Sequence, residues 1–462
     1  MAEMIKSMTA LLLLLSGCAT PSLESSLPLQ RPLGRSHATW VPPLEPNENT
    51  PTPMDPTDIG GELTIDQAVA LALLHNPQLQ AFAWSVRVAE ARRLQAGLRP
   101  NPELVIEMEN LAGTGAFEGT GLAETTVGVG QLIEVGGKRA KRTQVAALES
   151  ELAGWDYEEM RLAVFTEVVQ AFTEVLAAQE RGRVVDQQVD IAEKVVHAVN
   201  QRVQAGKDSP LEATRARVSL AQVRIEQKRL RLESSAVRQS LAATWGASEA
   251  LFTHVGGALD RIVNPPAPSA LQALVVQHPT VARWETEIEQ RQARFELEKA
   301  NARPDPTVVG GYRHLNEVDE SAFVLGLSLP LPVTNRNQGS ILAAKAALAR
   351  ARVEQRADLT SIRAELSRAY ASLSSEYMTA TELQQEVLPG AQEAFESAQI
   401  GYVNGKFDYL TVLDAQRTLF AARTQHLEAL VEYHQAKAEV EHLIGQPLRI
   451  PERTEPCLHV DG

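Results

Sequence analysis

His426, His434, Glu441 and His442 fall on one late proline-free stretch, and imidazoles with a carboxylate are the donors of a transition-metal site. Such donors must converge. Each step of eight residues, from 426 to 434 and from 434 to 442, turns about 80° around a helix, so these histidines diverge unless other elements bring partners. The expectation is inter-helix or solvated polar roles and no metal-ligand set. Gly136-Gly137-Lys138 offers another chemistry, the cradling of phosphate. That loop needs an upstream glycine where Leu132 stands and a serine or threonine where Arg139 stands, so the glycines are read as turning a strand into a helix. Gly128 and Gly130 alternate along a strand and are wall positions rather than a dinucleotide fingerprint. The chain has no Ser/His/Asp context, zinc-protease spacing or paired-carboxylate signature, which argues against an enzyme and against a cofactor.

Cys18 and Cys457, at opposite ends, cannot supply a zinc or iron–sulfur cluster, although one disulfide between them is conceivable. Cys18 has another fate. Lys6 and the short apolar run 7–15 read as a signal peptide over residues 1–17, too short to cross a bilayer. Leu15-Ser16-Gly17-Cys18 resembles a bacterial lipobox, which implies a mature protein beginning at a lipidated Cys18; an ordinary leader with an accidental cysteine is the alternative. Ala19 follows where an aspartate would imply inner-membrane retention, so the resemblance implies an outer-membrane destination, with the acyl chains held in lipid.

The elements that position these residues are constrained by composition. A chain of 462 residues exceeds one ordinary core and calls for several domains or one elongated architecture. With 44% hydrophobic but only 5% aromatic residues, it suits long helices rich in alanine and leucine. Its net charge of -14 repels polyanions and argues against nucleic acid as a partner. The region 18–62, rich in proline, reads as an extended linker that follows the anchor. No later segment has 18 uninterrupted apolar residues, so any membrane passage must use strands.

The remainder is one unit written twice. Asn76-Pro77 recurs as His278-Pro279, and Arg99-Pro100-Asn101-Pro102 as Arg303-Pro304-Asp305-Pro306. Gly206-Lys207 recurs as Gly405-Lys406, and Gly246 as Gly445, both 199 residues later. The expected domains are a first repeat over 63–246, a linker over 247–269, a second repeat over 270–446 and a tail over 447–462. Each repeat reads helix, strand, strand, very long helix, helix. Val185, Val189, Ala192, Val196, Val199 and Val203 recur at the 3.5-residue period of a coiled-coil seam. The proline-free stretch 138–205 predicts a helix of roughly 100 Å. Its counterpart, 338–404, carries Pro389-Gly390, which should kink or interrupt it.

Between the helices the period changes to two. Over 125–133 and 321–331 one face carries Val127, Val129, Phe323, Leu325, Leu327, Leu329 and Leu331, and the other is small or polar. Residues 104–110 and 307–314 are the weaker partner strands. These lengths suit strands that cross an outer membrane, with two soluble hairpins packed on the helices as the alternative. Four strands cannot close a barrel, whereas three copies supply twelve and leave room for a pore. Membrane-spanning strands would therefore require an oligomer.

Taken together, residues 60–446 resemble the outer membrane efflux protein family, the TolC-like channels. The most specific stretch is 402–417, Tyr402-Val403-Asn404-Gly405-Lys406-Phe407-Asp408-Tyr409-Leu410 onward, similar to the family's second periplasmic tip. Residues 95–104, Glu109-Asn110 and 131–139 resemble the heavy-metal cation branch. The resemblance implies a mainly α fold with a membrane β-barrel part, built as a homotrimer with a twelve-stranded barrel above a coiled-coil helical barrel. It also implies a tripartite system, with a periplasmic adaptor and an inner-membrane pump of the resistance-nodulation-division type, exporting heavy-metal cations. A multidrug or other small-molecule channel, and a structural periplasmic coiled-coil lipoprotein, are the alternatives. By the same resemblance, Gly206, Lys207, Gly405, Lys406 and Asp408 belong to adaptor-docking tips. Tyr402 and Asp414 then form the gate, with Thr411 standing where some members carry another acid.

Overall fold

The computed structural model describes residues 29–43 and 60–448, so the leader, Cys18 and Cys457 lie outside the described residues. The first repeat runs β1 (Glu62–Leu63), α1 (Ile65–His75), α2 (Pro77–Gly97), β2 (Glu103–Glu109), β3 (Glu124–Leu132), α3 (Lys138–Gln204) and α4 (Pro210–Ala243). Between the repeats, β4 (His254–Val255) pairs in parallel with β1. The second repeat runs α5 (Pro268–Gln272), α6 (Pro279–Asn301), β5 (Thr307–Leu315), β6 (Glu320–Ser328), α7 (Gln338–Glu382), α8 (Leu388–Val403) and α9 (Tyr409–Ile444). These elements form two compact units. The described residues of one are 85–154 and 285–353, and those of the other are 29–43, 60–84, 155–284 and 354–448.

The first unit holds a four-stranded antiparallel sheet in the order β2-β3-β5-β6. Gly128 stands opposite Gly311. A Cβ on Gly128 would lie 3.0 Å from the Gly310 carbonyl oxygen, so glycine lets these backbones approach. The other face is apolar and unpacked: Phe323, Leu325 and Leu327 of β6 are 92%, 82% and 72% exposed, and Leu104, Ile106 and Met108 of β2 are also exposed. Strand β6 ends at Ser328, short of the expected 331, where Pro330 removes a ladder donor. Gly136 and Gly137, both at φ 72°, turn the chain from β3 into α3. There Lys138 Nζ meets Asp305 Oδ2 at 2.7 Å, and the Val135 N–H donates to Asp305 Oδ1 at 2.8 Å. The lysine of the glycine turn thus has a carboxylate partner in the other repeat.

The second unit is a helical core. Val195 and Val199 of α3 pack with Ala213 and Ala216 of α4, Phe395 and Tyr402 of α8, and Tyr409 and Val412 of α9. Of the seam that the 3.5-residue period predicts, Val199 is in this cluster, Val196 and Val203 pack against it partly buried, and Val185, Val189 and Ala192 are buried, while Val195 joins the cluster from outside the predicted seam. One stretch of α3 is apolar enough to cross a bilayer by composition alone, and 56% of it is buried, as in a core helix. At Pro389 the predicted irregularity takes the form of a π turn, Leu383–Val387, in which the Leu388 N–H donates to the Leu383 carbonyl. A widened turn accommodates a ring that cannot donate.

Within the linker expected over 18–62, residues 29–43 are described and dock on this unit. Leu33 is buried and its N–H donates to the Gly445 carbonyl at 3.2 Å, while Arg161 Nη1 donates to the Leu33 carbonyl at 2.9 Å. The Arg31 guanidinium sits 4.9 Å over the Trp155 ring, and Trp40 meets Trp84 edge-on. A few apolar and cationic side chains suffice to anchor a proline-rich segment whose backbone loses little further freedom on docking.

Candidate functional site

The tips are built from helix ends. Helix α3 ends in a left-handed glycine, Gly206 at φ 70°, with the Gly206 N–H donating to the Val203 carbonyl and the Lys207 N–H to the Arg202 carbonyl. Helix α8 ends the same way at Gly405, φ 74°, with the Gly405 N–H on the Tyr402 carbonyl and the Lys406 N–H on the Gly401 carbonyl. This paired bonding is the Schellman stop, and a Cβ would strain both turns. The return helices start on side-chain caps. Ser209 accepts from the Leu211 N–H ahead of Pro210, and Asp408 Oδ1 accepts from the Thr411 N–H at 2.9 Å and from its hydroxyl at 2.6 Å. Lys207, Lys406 and Asp408 are exposed.

One side chain ties the two tips. Arg202 reaches Asp208 through Nε at 2.8 Å and Nη2 at 3.0 Å, and its Nη1 donates to the Tyr402 carbonyl at 2.8 Å. Its guanidinium carbon lies 4.6 Å from the centre of the Tyr402 ring. The Tyr402 hydroxyl donates to Asp208 Oδ2 at 2.5 Å. The hydrogen bonds from Arg202 hold the Asp208 carboxyl below the usual carboxylate range. Burial first, then the hydrogen bond to Asp208, pushes the Tyr402 phenol above the ordinary tyrosine range, so it remains a donor. Tyr402 is 3% exposed and packs near Tyr409, 6.5 Å between ring centres. Asp414 is not part of this cluster; it is exposed on α9, and its carbonyl accepts from Thr418. Sequence reasoning singled out Tyr402 but did not bring Arg202 to it; at the 199-residue offset Arg202 and Asp208 fall on Gly401 and Phe407, so matching the repeats gives no signal for the tie.

The late histidines separate as the helical arithmetic requires. His434 Nε2 lies 2.9 Å from the Leu259 carbonyl, and Glu441 accepts from the Leu448 N–H at 2.9 Å. His442 gains partners that its own helix could not reveal, namely His278 at the start of α6 and Glu159 of α3.

Likenesses in sequence and in structure bear on this architecture. The outer membrane efflux protein family matches residues 68–247 and 270–446, both repeats. The chain belongs to that family. This outer membrane efflux protein is 36% identical over 394 residues, 85% of its length and 93% of the relative's, to the cobalt-zinc-cadmium resistance protein CzcC of Cupriavidus metallidurans. It is 25% identical over 412 residues to the pyoverdine export outer membrane protein OpmQ of Pseudomonas aeruginosa, 83% of this chain and 85% of OpmQ. The solved outer-membrane channel OprN superposes with a TM-score of 0.71 at 17% identity, over 92% of this chain and 98% of that one. The fold is therefore TolC-like, the family is one of efflux channels rather than enzymes, and the outer membrane is its location.

Proposed function

We propose that this efflux protein is the outer-membrane conduit of a tripartite system exporting heavy-metal cations, with a periplasmic adaptor and an inner-membrane pump as its partners. The similarity to CzcC, which extends over nearly all of that relative, carries the substrate reading. An acidic protein favours cations at its surface without holding them, and a conduit must release what it passes. The working form is a homotrimer in which each protomer gives four strands to a twelve-stranded barrel. The apolar outer face of β2 and β6 and the small inner face around Gly128 and Gly311 suit lipid outside and a lumen inside.

The glycine-lysine tips, Gly206-Lys207 and Gly405-Lys406, meet the adaptor through the exposed lysines and turn residues at their ends. The Arg202–Asp208–Tyr402 tie closes the periplasmic end by holding the two tips together. Asp414, exposed on α9, adds a carboxylate that each protomer would repeat around the conduit. Cys18 carries the lipid that anchors the mature chain.

A deletion strain tested against a metal panel and a drug panel separates the readings. Loss of tolerance to zinc, cobalt or cadmium, restored by the intact gene, is the expected result. Unchanged metal tolerance with sensitivity to dyes, or loss of pyoverdine export as the likeness to OpmQ would have it, transfers the assignment to small-molecule efflux.

A further inference from the structure

The two repeats treat one joint differently. In the first, Asn76 precedes α2 and is fully used: its Oδ1 accepts from the Leu79 N–H at 2.9 Å and its Nδ2 donates to the Thr244 carbonyl at 2.8 Å. In the second, His278 holds the same place ahead of α6, is 4% exposed, and neither ring nitrogen has a hydrogen-bond partner. A buried imidazole left wholly unpaired is costly and calls for an explanation, and a bound ion is one that would supply its partner. The missing partners are two more side chains with free ligand atoms. Glu159 Oε1 lies 3.8 Å from His278 Nε2 and 3.7 Å from His442 Nε2, and one ligand atom from each residue falls within 4.8 Å of the others. His442 Nδ1 and Glu159 Oε2 also lack partners.

We propose that Glu159, His278 and His442 form a resident site for one borderline divalent transition-metal ion of the zinc or cobalt class. Two imidazoles and a carboxylate, with a position left for water, suit such ions, whereas calcium and magnesium prefer all-oxygen sets and copper(I) prefers sulfur. A tetrahedron with bonds of about 2.0–2.1 Å has edges of about 3.3–3.4 Å, so small side-chain rotations close the observed spacing onto an ion. The Glu159 side chain is 34% exposed and that of His278 only 5%.

The protonation states fit a ligand set. Burial, with repulsion from His442 and Arg31, pushes the His278 imidazole down to about 3, so it is neutral and its lone pair is available. Burial raises the Glu159 carboxyl, and an arriving cation would favour its ionised form. Arg31 opposes a cation. Its charge is offset by Glu158, whose carboxylate also pairs with Arg161 at 2.7 Å. The site joins α3, the start of α6 and the last turn of α9, so an ion would clamp three segments of one unit. This inference stands on these side chains alone and does not depend on what the channel exports.

The test uses the full chain in detergent, stripped with chelator and then equilibrated with buffered zinc(II) or cobalt(II). We expect one zinc per protomer by elemental analysis, the intense visible absorption of low-coordinate cobalt(II), and a melting temperature that rises with zinc. His442→Ala and the near-isosteric Glu159→Gln should each weaken binding by about tenfold or more and abolish the melting shift. His426→Ala and His434→Ala should leave both readouts unchanged. A wild-type chain that takes up no zinc, or loses it equally in the two control variants, overturns the proposal. A melting temperature indifferent to zinc in a chain that does bind it overturns the clamp.

Discussion

Arg202 and Gly401 occupy the same place in the two repeats, and so do Asp208 and Phe407. In the first tip that pair is an ion pair; in the second the Phe407 ring lies where a Cβ on Gly401 would stand. The difference leaves Arg202 free to reach across to Tyr402, so the asymmetry of the repeats creates the contact between their tips. A hydrogen bond to a charged group contributes about 1.5–3 kcal/mol, and Tyr402→Phe should therefore shift the closed tips toward open by about tenfold or more. Higher conductance of the purified channel in planar bilayers is the measurement, and wild-type conductance would remove Tyr402 from the gate. The pH dependence has a definite sign. Asp208 titrates below its ordinary value of 3.8, so its contribution is complete above that value and fades as pH falls through the depressed one. Tyr402 titrates above its ordinary value of 10.0, so its contribution is complete below that value and fades only as pH rises through the elevated one. Conductance should stay flat between these limits and rise in strong acid, whereas Asp208→Asn should be open-shifted throughout. At Cys18, labelling with palmitate should mark the wild type and not Cys18→Ser; equal label in both would reject the anchor.

Helices and strands differ in how much of them local sequence specifies. The strands follow from alternation alone, because period two puts Phe323, Leu325 and Leu327 on one face whatever lies beyond. The end of β6 did not follow, since the leucines continue the pattern to 331 while Pro330 ends the ladder at Ser328. The long seam of α3 was equally legible, since heptad spacing needs no knowledge of the partner helix. His442 was illegible for the opposite reason: its partners come from residues 159 and 278, and one helix cannot show what another brings. Likewise the docking of residues 29–43 depends on Trp155, Arg161 and Gly445, distant in sequence. If the apolar strand face meets lipid, Leu325→Arg should cost about 2–4 kcal/mol near the midplane and deplete the channel from the outer membrane. Gly128→Val acts differently, by forcing β3 from β5 at the Gly310 carbonyl, and should lower yield without exposing a charge to lipid. Membrane fractionation with immunoblotting distinguishes them, and full recovery of Leu325→Arg would mean that this face does not meet lipid.

For the whole molecule the decisive feature is a sheet with two open edges. Among the described residues strands β2 and β6 each have one neighbour, and unpaired backbone groups are not tolerated in hydrocarbon. The order β2-β3-β5-β6 with every pairing antiparallel makes β2 and β6 run in opposite directions, so β6 of one copy can meet β2 of the next without breaking the alternation. Closure is thus available to copies of the chain and not to one alone. Two copies give eight strands, whose lumen side chains would fill, and three give twelve, with room for a conduit. A cysteine at Val105 in β2, combined in turn with cysteines along β6 from Ser321 to Leu327 and with Cys457→Ser to remove a stray thiol, tests the count directly. Oxidation in membranes should give, at one register of β6, a ladder of covalent dimer and trimer ending at the trimer. A ladder ending at the dimer or climbing past the trimer would reject a twelve-stranded barrel, and monomer at every register would mean that these edges do not meet.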